Sequence, residues 1–318
     1  MPSITTEKAT MKAVRIRSFG GLDVLRLEEV PKPEPKSGEL LVRVHAASVN
    51  PVDWKIREGR MGKIPLPAIV GSDFSGEVEA LGAETKGFHI GEAVFGVVGE
   101  DSGSYAEYAV APMSQVTEKP PSLSHFEAAA MPIASLTAWQ ALFDTADLQS
   151  GQKVLIHAAA GGVGHFAVQF AKWKEAYVIG TASAQHAEFV RQLGANEVID
   201  YRKVRFDEVV HDVDVVFDTI GGDTQERSWK VLKPGGIQVS VVQPPSQEAS
   251  KVHRIRGVFL ICNHRRNDEL AWIAELVVSG RVKVHIDTSL PLSEARKAQE
   301  LSQSGHVKGK IVLRVAEG

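Results

Sequence analysis

A turn made only of small residues is the part of this sequence with the clearest chemical meaning. The segment Ala158–Gly164 follows the apolar run Lys153–Ile156 and opens an amphipathic stretch. Small residues let the backbone approach a bound diphosphate, and the following helix offers free N–H groups and a positive dipole end. The spacing is Ala159-x-Gly161-x-x-Gly164, so alanine replaces the first glycine of the usual pattern. We predict a dinucleotide site whose contacts are Ala160, Gly161, Gly162, Val163 and Gly164.

The end of the next predicted strand bears on the choice of cofactor. Enzymes that use NAD usually carry Asp or Glu there, to accept the ribose hydroxyls. Here the strand ends Thr181-Ala182-Ser183, and the first acid is Glu188. Without a carboxylate to repel a 2′-phosphate, Thr181 and Ser183 could donate to it, which favours NADPH. In the alternative interpretation Ser183 caps the next helix, and the two roles are compatible.

The pattern along the chain changes near residue 126. Before it, short apolar or alternating runs separated by Gly and Pro predict the strands of a small barrel. After it, helical and strand-like segments alternate, which predicts an α/β sheet of parallel strands. The region 128–142 is predicted to be helical, 237–242 and 257–261 to be strands, and 267–279 to be a helix. The β-like tail 311–315 predicts a return to the first domain.

Composition excludes several classes of protein. The chain has 318 residues, 24% charged residues and a net charge of −3, which does not favour nucleic acid or membrane partners. The N-terminus lacks the apolar core of a signal peptide, so a cytoplasmic location is expected. Cys262 is the sole cysteine. His45 and His89 are isolated in sequence and are interpreted as structural or surface residues, so no metal site is predicted.

Seven motifs in a shared order resemble the zinc-independent quinone oxidoreductase branch of the medium-chain dehydrogenase/reductase superfamily. The resemblance covers nearly the whole chain and rests on Ser48–Arg57, Gly71–Gly76, Leu136–Ala138, Ala158–Gly164, Leu193–Tyr201, Asp218–Gly222 and Gly305–Leu313. It implies a GroES-like β-barrel domain (1–127 and 266–318), a Rossmann NADPH-binding domain (128–265), and a cleft between them. Relatives that use zinc carry a Gly-His-Glu triplet where this chain has Gly71-Ser72-Asp73.

The resemblance also implies cofactor contacts beyond the glycine turn. Tyr201 is similar to a tyrosine that contacts the 2′-phosphate, whereas Gln185 stands where relatives often have lysine; His186 or Arg202 are candidates to supply the charge. Other implied contacts, around the nicotinamide and its ribose or in the last motif, are Thr137, Val241, Val242, Phe259, Leu260 and Lys310. For the apolar residues among them, core packing is the alternative.

The resemblance also implies that three polar residues lie in the cleft beside the nicotinamide, namely Asn50, Asp53 and Lys55. Their donors could orient a carbonyl group, and Lys55 could contact developing negative charge. In the alternative interpretation, Asn50 and Asp53 only fix the turn around Pro51. Some relatives carry a tyrosine here as a candidate proton donor, whereas this chain has Trp54, so water is the expected proton source.

The predicted function is a zinc-independent oxidoreductase that uses NADPH to reduce quinones or the C=C bond of α,β-unsaturated carbonyls. Two alternatives stay open: a catalytically weak NADPH-binding redox sensor or structural protein, and an enoyl-thioester reductase. The expected partner is a small-molecule quinone or enone, with no nucleic acid and no membrane. The sequence leaves the oligomeric state undetermined, with a homodimer as one option.

Overall fold

The first part of the chain forms short antiparallel strands, because its alternating residues suit sheets with one buried face. The computed structural model describes residues 9–62 and 64–316. The elements here are β1 (Thr10–Ile16), β2 (Arg26–Pro31), β3 (Glu39–Val49), α1 (Pro51–Arg57), β4 (Ala68–Ile69), β5 (Asp73–Leu81), β6 (Ala93–Val97), β7 (Tyr108–Pro112) and β8 (Val116–Glu118).

The second part alternates helices and strands. Its elements are α2 (His125–Ala129), α3 (Pro132–Trp139), β9 (Lys153–Ile156), α4 (Gly164–Trp173), β10 (Tyr177–Ala182), α5 (Ala184–Gln192), β11 (Glu197–Asp200), α6 (Phe206–Val209), β12 (Val213–Asp218), α7 (Gly222–Ser228), β13 (Leu232–Ser240), α8 (Gln247–His253), β14 (Arg256–Phe259), α9 (Asn267–Val278), β15 (Ile286–Pro291), α10 (Ala295–Ser304) and β16 (Lys310–Arg314).

Strand order distinguishes the two sheet systems. Strands β9 to β14 form one parallel sheet in the order β11-β10-β9-β12-β13-β14. The chain reverses direction across the sheet between β9 and β12, and ligands of such sheets bind at the carboxyl ends of the strands at that point. The barrel side contains the sheets β2-β1-β4 and β15-β16-β3-β5-β6-β8, with β7 paired to β3. The predicted fold class, a GroES-like barrel plus a Rossmann sheet, is confirmed.

The tail returns to the barrel, as predicted. Strand β16 pairs antiparallel with β3, in the register Ile311 to Val49 and Leu313 to Ala47. This pairing carries the segment before β16 past the glycine turn, where the Gly309 N–H donates to the Ala160 carbonyl at 2.8 Å. Residues nearly 150 positions apart therefore form one wall of the cleft.

Several predicted elements have different bounds in the structure; the strand predicted over 257–261, for example, is Arg256–Phe259. The helical region 128–142 is two helices, α2 and α3, and Pro132 at the first turn of α3 explains the break because proline has no N–H to continue the first helix. A π-helical turn, Gln140–Thr145, then extends the region. The strand predicted over 237–242 ends at Ser240, so Val241 and Val242 lie in the following loop.

Helix α9 lies at the predicted domain boundary. Leu270, Ile273 and Ala274 belong to the same apolar core as the side chains of β9 and α4, although they follow the predicted boundary at residue 266. The same helix also contacts β8 of the barrel. The domain boundaries therefore stay a prediction. None of the helices in the described ranges is long and apolar enough to cross a membrane.

Candidate functional site

The glycine turn connects β9 to α4 with very little space around it. A Cβ added to Gly164 would lie 2.2 Å from the Ala158 carbonyl oxygen, so only glycine allows the helix to start this close to the turn. A Cβ on Gly161 would meet only that same oxygen, at 3.3 Å. Gly164 is therefore required by the protein itself, whereas Gly161 faces open space in which a ligand can lie.

A cavity of about 390 Å³ opens beside the turn at the end of β10. We call it the β10 cavity. Within the described ranges its walls contain no aspartate or glutamate; they include Gly161, Thr181, Ala182, Ser183, His186, Tyr201, Arg227 and His306. A bound phosphate would meet no negative charge in these walls.

Thr181 is committed to a buried hydrogen-bond chain. The Ser228 hydroxyl donates to the Thr224 carbonyl and accepts from His157 Nε2 at 2.9 Å. His157 Nδ1 then accepts the proton of the Thr181 hydroxyl at 3.1 Å. Burial lowers the pKa of His157 to about 4, so the ring is neutral. Thr181 thus shapes the cavity floor, but its hydroxyl proton already has a partner.

Ser183 and Tyr201 are two further hydroxyl donors in these walls. Ser183 occupies the N-cap position of α5, yet its side chain accepts no capping hydrogen bond. Its backbone carbonyl accepts instead from the His186 N–H at 2.9 Å. The Tyr201 side chain is 53% exposed at the cavity rim. The capping alternative for the Ser183 hydroxyl is therefore not realised in this structure.

Basic side chains from both sequence halves surround these hydroxyls. Arg202 donates to His306 Nε2 at 3.2 Å, and its guanidinium carbon lies 5.8 Å from the centre of the Tyr201 ring. Burial lowers the pKa of His186, and the nearby charges of Lys308 and Arg202 act in the same direction. The site thus concentrates positive charge although Gln185 replaces the lysine of relatives. His306, from the loop before β16, was not predicted from the sequence.

A second cavity of about 260 Å³, the turn cavity, continues along the glycine turn. Its walls include Asn50, Gly161, Gly162, Val163, Gly164, Thr219 and Lys310. It shares Gly161 and Gly305 with the β10 cavity. The two cavities together follow the turn from its outer end toward the barrel, the direction that an extended dinucleotide requires.

Beneath the turn cavity lies a buried polar cluster of Asn50, Asp73 and Lys310. Lys310 Nζ donates to Asn50 Oδ1 at 2.6 Å, and Asn50 Nδ2 donates to Asp73 at 2.8 Å. Lys310 Nζ lies 3.9 Å from the Asp73 carboxylate. Burial lowers the pKa of Lys310 and raises that of Asp73, and each charge opposes the shift of the other. Both ends of the Asn50 amide therefore already have protein partners.

Asp53 is also engaged within the protein. Its carboxylate accepts from the Asn50 backbone N–H at 2.8 Å and from the Tyr105 hydroxyl at 3.0 Å. Burial raises the pKa of Asp53 to about 7. These contacts match the alternative in which Asn50 and Asp53 fix the turn at Pro51, and a catalytic role for either stays a prediction. Tyr105 is fully buried in the barrel and makes this hydrogen bond from there.

Lys55 lies on the same helix and is only partly buried. In the part of the chain that the structure describes, its Nζ makes no hydrogen bond or ion pair, and it lies 5.7 Å from the centre of the Trp54 ring. Burial lowers the pKa of Lys55, and Arg60 adds to this effect. Its donors are thus available, although Lys55 does not line the cavities described here.

A larger cavity of about 720 Å³, the mouth cavity, opens between the barrel and the loop after β14. Asp53, Ile56, Ser72 and Cys262 are among its walls. Burial raises the pKa of the Cys262 thiol to about 12, which keeps it protonated, and the neighbouring Thr137 hydroxyl acts in the opposite direction. Thr137 therefore lies directly behind a wall of this cavity.

The remaining predicted cofactor contacts lie in the loop after β13 and at the end of β14. Val241 and Leu260 pack against the core of the parallel sheet, Val242 lies beside Gly221, and Phe259 is 38% exposed. None of these four residues lines the three cavities. Their contact with nicotinamide stays a prediction.

The chain matches two protein-family models and is similar to several known proteins. Residues 36–121 match the family described as "Alcohol dehydrogenase GroES-like domain", and residues 193–313 match "Zinc-binding dehydrogenase". The chain is 35% identical to the chloroplast envelope quinone oxidoreductase homolog of Arabidopsis thaliana, covering 95% of this chain and 98% of that protein. It is 33% identical to the quinone oxidoreductase of Pongo abelii, with 98% and 99% covered.

Two further relatives are informative. The quinone oxidoreductase structure from Coxiella burnetii superposes with a TM-score of 0.91, at 39% identity, covering 97% of this chain and 100% of that one. An "NADPH-dependent alkenal/one oxidoreductase, chloroplastic" of Arabidopsis thaliana is 34% identical, covering 95% of this chain and 79% of that protein.

The residues of the cleft do not fit the zinc that the second family description implies. Where a ligand triplet would stand, Asp73 is bound by Asn50 and by the Ile133 N–H, at 2.8 and 3.1 Å. Cys262 is a protonated thiol with no histidine or carboxylate arranged around it as co-ligand in the described ranges. The overall sequence similarity and this ligand set together place the chain in the zinc-independent quinone oxidoreductase-like branch of the medium-chain dehydrogenase/reductase superfamily.

Proposed function

We propose that this protein is an NADPH-dependent reductase of quinones or of the C=C bond of α,β-unsaturated carbonyls. The observation that carries the cofactor assignment is the composition of the β10 cavity. Two hydroxyl donors, Ser183 and Tyr201, share its walls with His306, and the described walls contain no carboxylate. Arg202 lies next to this wall, in contact with His306 and over the Tyr201 ring. Charge-assisted hydrogen bonds are the strong ones, so this set favours a 2′-phosphate over a free ribose hydroxyl.

The binding track runs from this cavity to the barrel. The diphosphate would lie on the glycine turn, where Gly161 leaves space and the α4 N-terminus offers N–H groups. Lys310, held by Asn50 and Asp73, supports the turn from below, since Gly162 lies against its side chain. The nicotinamide end then faces the mouth cavity, which is large enough for a planar quinone or enone.

The chemistry needs a hydride, a proton and stabilisation of negative charge. When bound, NADPH supplies the hydride. Lys55, next to the mouth-cavity residue Ile56 on α1, has available donors that would steady an enolate or hydroquinone anion as charge develops. Water supplies the proton, because the Tyr105 hydroxyl is buried and donates to Asp53. The names of the relatives, which include quinone and alkenal/one oxidoreductases, support this substrate class.

The assay that tests the proposal compares two panels of substrates at fixed enzyme concentration. NADPH absorbance is followed with a panel of quinones, enones and enals, and NADP⁺ reduction is followed with simple alcohols. We expect oxidation of NADPH by members of the first panel and no reduction of NADP⁺. Turnover with alcohols alone would refute the assignment.

A second candidate is a redox sensor that binds NADPH but turns over slowly. The specific observation in its favour is that the side chains of Asn50, Asp53 and Tyr105 are already engaged within the protein. Tight NADPH binding measured by calorimetry, together with no turnover of any panel member, would establish this candidate instead.

A further inference from the structure

We propose that His45, Glu77 and His125 form a zinc-binding site on the barrel, which we call the barrel histidine site. Among the described residues, these three side chains are the group whose potential ligand atoms come together, all within 4.8 Å of one another. None of the three lines the cavities of the cleft. The site is separate from the proposed function and does not depend on it.

An irregularity in the sheet turns His45 toward the other two residues. The pairing of β3 with β5 shifts register between Val44 and Ala46, which leaves His45 as the extra residue. Such bulges re-aim a side chain relative to its strand. Ser75 and Glu77 are two residues apart on β5 and therefore point to one face. His125, the first residue of α2, stacks on the His45 ring, with centroids 4.3 Å apart and planes 10° apart.

One pair of the ligand atoms already has nearly the separation that zinc needs. Zn–N distances of about 2.0–2.1 Å in a tetrahedral site place two ligand atoms about 3.4 Å apart. His45 Nε2 lies 3.6 Å from Glu77 Oε1. This nitrogen is buried and has no hydrogen-bond partner in the described ranges, a costly arrangement that a bound cation would relieve. Because imidazole nitrogens bind a metal in the plane of the ring, one of the two stacked rings has to rotate out of the stack for both to bind the same ion.

Neighbouring groups orient two of the three ligands. The Ser75 hydroxyl donates to the Val94 carbonyl at 3.0 Å, so it accepts from His125 Nδ1 at 2.8 Å. The proton on Nδ1 leaves the lone pair on Nε2 for a metal. Arg43 Nη2 binds Glu77 Oε2 at 2.5 Å, which leaves Oε1 on the side of His45. Metal-binding histidines and carboxylates are typically held by such outer contacts.

The charges around the site determine how tightly it would bind. Burial lowers the pKa of His45, and lowers that of His125 to about 4, so both rings are neutral at pH 7. Glu77 supplies one negative charge, whereas Arg43 and Lys119 lie close enough to act on both histidines. Two imidazoles and a carboxylate suit zinc. The positive charges of Arg43 and Lys119 will weaken zinc binding compared with a site that has only negative groups around it.

The test measures metal binding to the full-length protein after treatment with a chelator. Zinc chloride is titrated by calorimetry, and cobalt chloride is added in a parallel sample to follow the visible bands of a tetrahedral Co²⁺ site. We expect one zinc equivalent per chain that His125→Phe removes, since phenylalanine keeps the ring stack but offers no nitrogen. Ser75→Ala should weaken binding by about tenfold or more, because it frees the His125 ring.

His89→Phe is the matched control. His89 also lies near a glutamate, Glu92 at 3.5 Å, but it has no second histidine and is largely exposed. Its substitution should leave the titration unchanged. Glu77→Gln provides a second test if His125→Phe fails to fold, as judged by circular dichroism. Zinc binding that is absent in the unmodified protein, or unchanged in both ligand variants, would overturn the proposal.

Discussion

At the residue scale, the wall of the β10 cavity offers a direct test of cofactor choice. Ala182 is buried in that wall, one position before Ser183. Ala182→Asp would place a carboxylate where the 2′-phosphate is proposed to bind. We expect NADPH affinity to fall by about 10- to 100-fold, the equivalent of one or two charge-assisted hydrogen bonds, and NADH affinity to hold or rise.

The matched variant Ala182→Asn has nearly the same shape without the charge. Dissociation constants of both cofactors, measured by fluorescence titration for the two variants, separate repulsion from crowding. If Ala182→Asn lost NADPH as completely as Ala182→Asp, steric effects would explain the result. Equal affinities of the unmodified protein for NADPH and NADH would contradict the proposed cofactor.

The role of Lys55 is a second question at this scale. If its ammonium group stabilises developing charge, Lys55→Ala should raise the activation barrier by about 1–3 kcal/mol, mainly through kcat. Arg60→Ala is the control, since Arg60 lies over the same Trp54 ring at 5.5 Å and is more exposed. Steady-state kinetics with a quinone substrate would show equal losses in the two variants if only packing on Trp54 mattered.

At the scale of elements, Gly161 and Gly164 have different roles in the turn between β9 and α4. A valine at Gly161 meets no protein atom closer than 3.3 Å at its Cβ but occupies the proposed diphosphate position. We expect Gly161→Val to abolish NADPH binding while thermal unfolding stays close to that of the unmodified protein. Calorimetric titration and the unfolding midpoint together measure both effects.

Gly164→Ala should instead destabilise the folded protein, because its Cβ would lie 2.2 Å from the Ala158 carbonyl oxygen. The strain should lower the free energy of unfolding by about 1–3 kcal/mol, the usual range for overpacking. Normal NADPH binding by Gly161→Val would show that the turn serves structure alone.

At the scale of the whole molecule, the cluster of Asn50, Asp73 and Lys310 connects β3, β5 and β16 beneath the glycine turn. Removing one partner of a buried charged pair typically costs about 3–5 kcal/mol, because the other charge stays buried. We therefore expect Lys310→Met to lower the free energy of unfolding by that order and to weaken NADPH binding. Denaturant unfolding and cofactor titration provide the two measurements.

The double variant Lys310→Met, Asp73→Asn is the control, since it removes both charges. Part of the lost stability should return, while the cofactor affinity stays low because the support of Gly162 is still missing. A double variant no more stable than the single one would show that the charge left on Asp73 is not the source of the loss.

The dependence of turnover on metal is a question for the whole molecule. The proposed zinc site lies on the barrel and the proposed chemistry lies in the cleft, so the two can be tested separately. Exhaustive chelation should leave quinone reduction unchanged, since the cleft residues do not form a zinc ligand set. The measurement is turnover before and after treatment with a strong chelator, with zinc added back to a third sample. A loss of turnover that zinc restores would contradict metal-independent chemistry.

The fold class and the glycine turn of this protein are determined largely by local sequence. The small-residue turn, the neutral end of β10 and the alternation of strands and helices depend on residues close together in the chain, so their pattern predicted the fold class and the glycine turn. Even the break between α2 and α3 has a local cause, Pro132, although the prediction joined the two helices. Backbone conformation depends mainly on neighbours, which is why such features can be predicted.

Tertiary structure alone decided which side chains are free. Thr181 looked like a donor, but His157 takes its proton, and Asn50 looked like a substrate contact, but Lys310 and Asp73 occupy its amide. His306 joins the β10 cavity from more than 100 residues away, and sheet register places Glu77 and His125 beside His45, which is isolated in the sequence. Hydrogen bonds between distant residues depend on how strands pair and pack, and sequence spacing does not encode them.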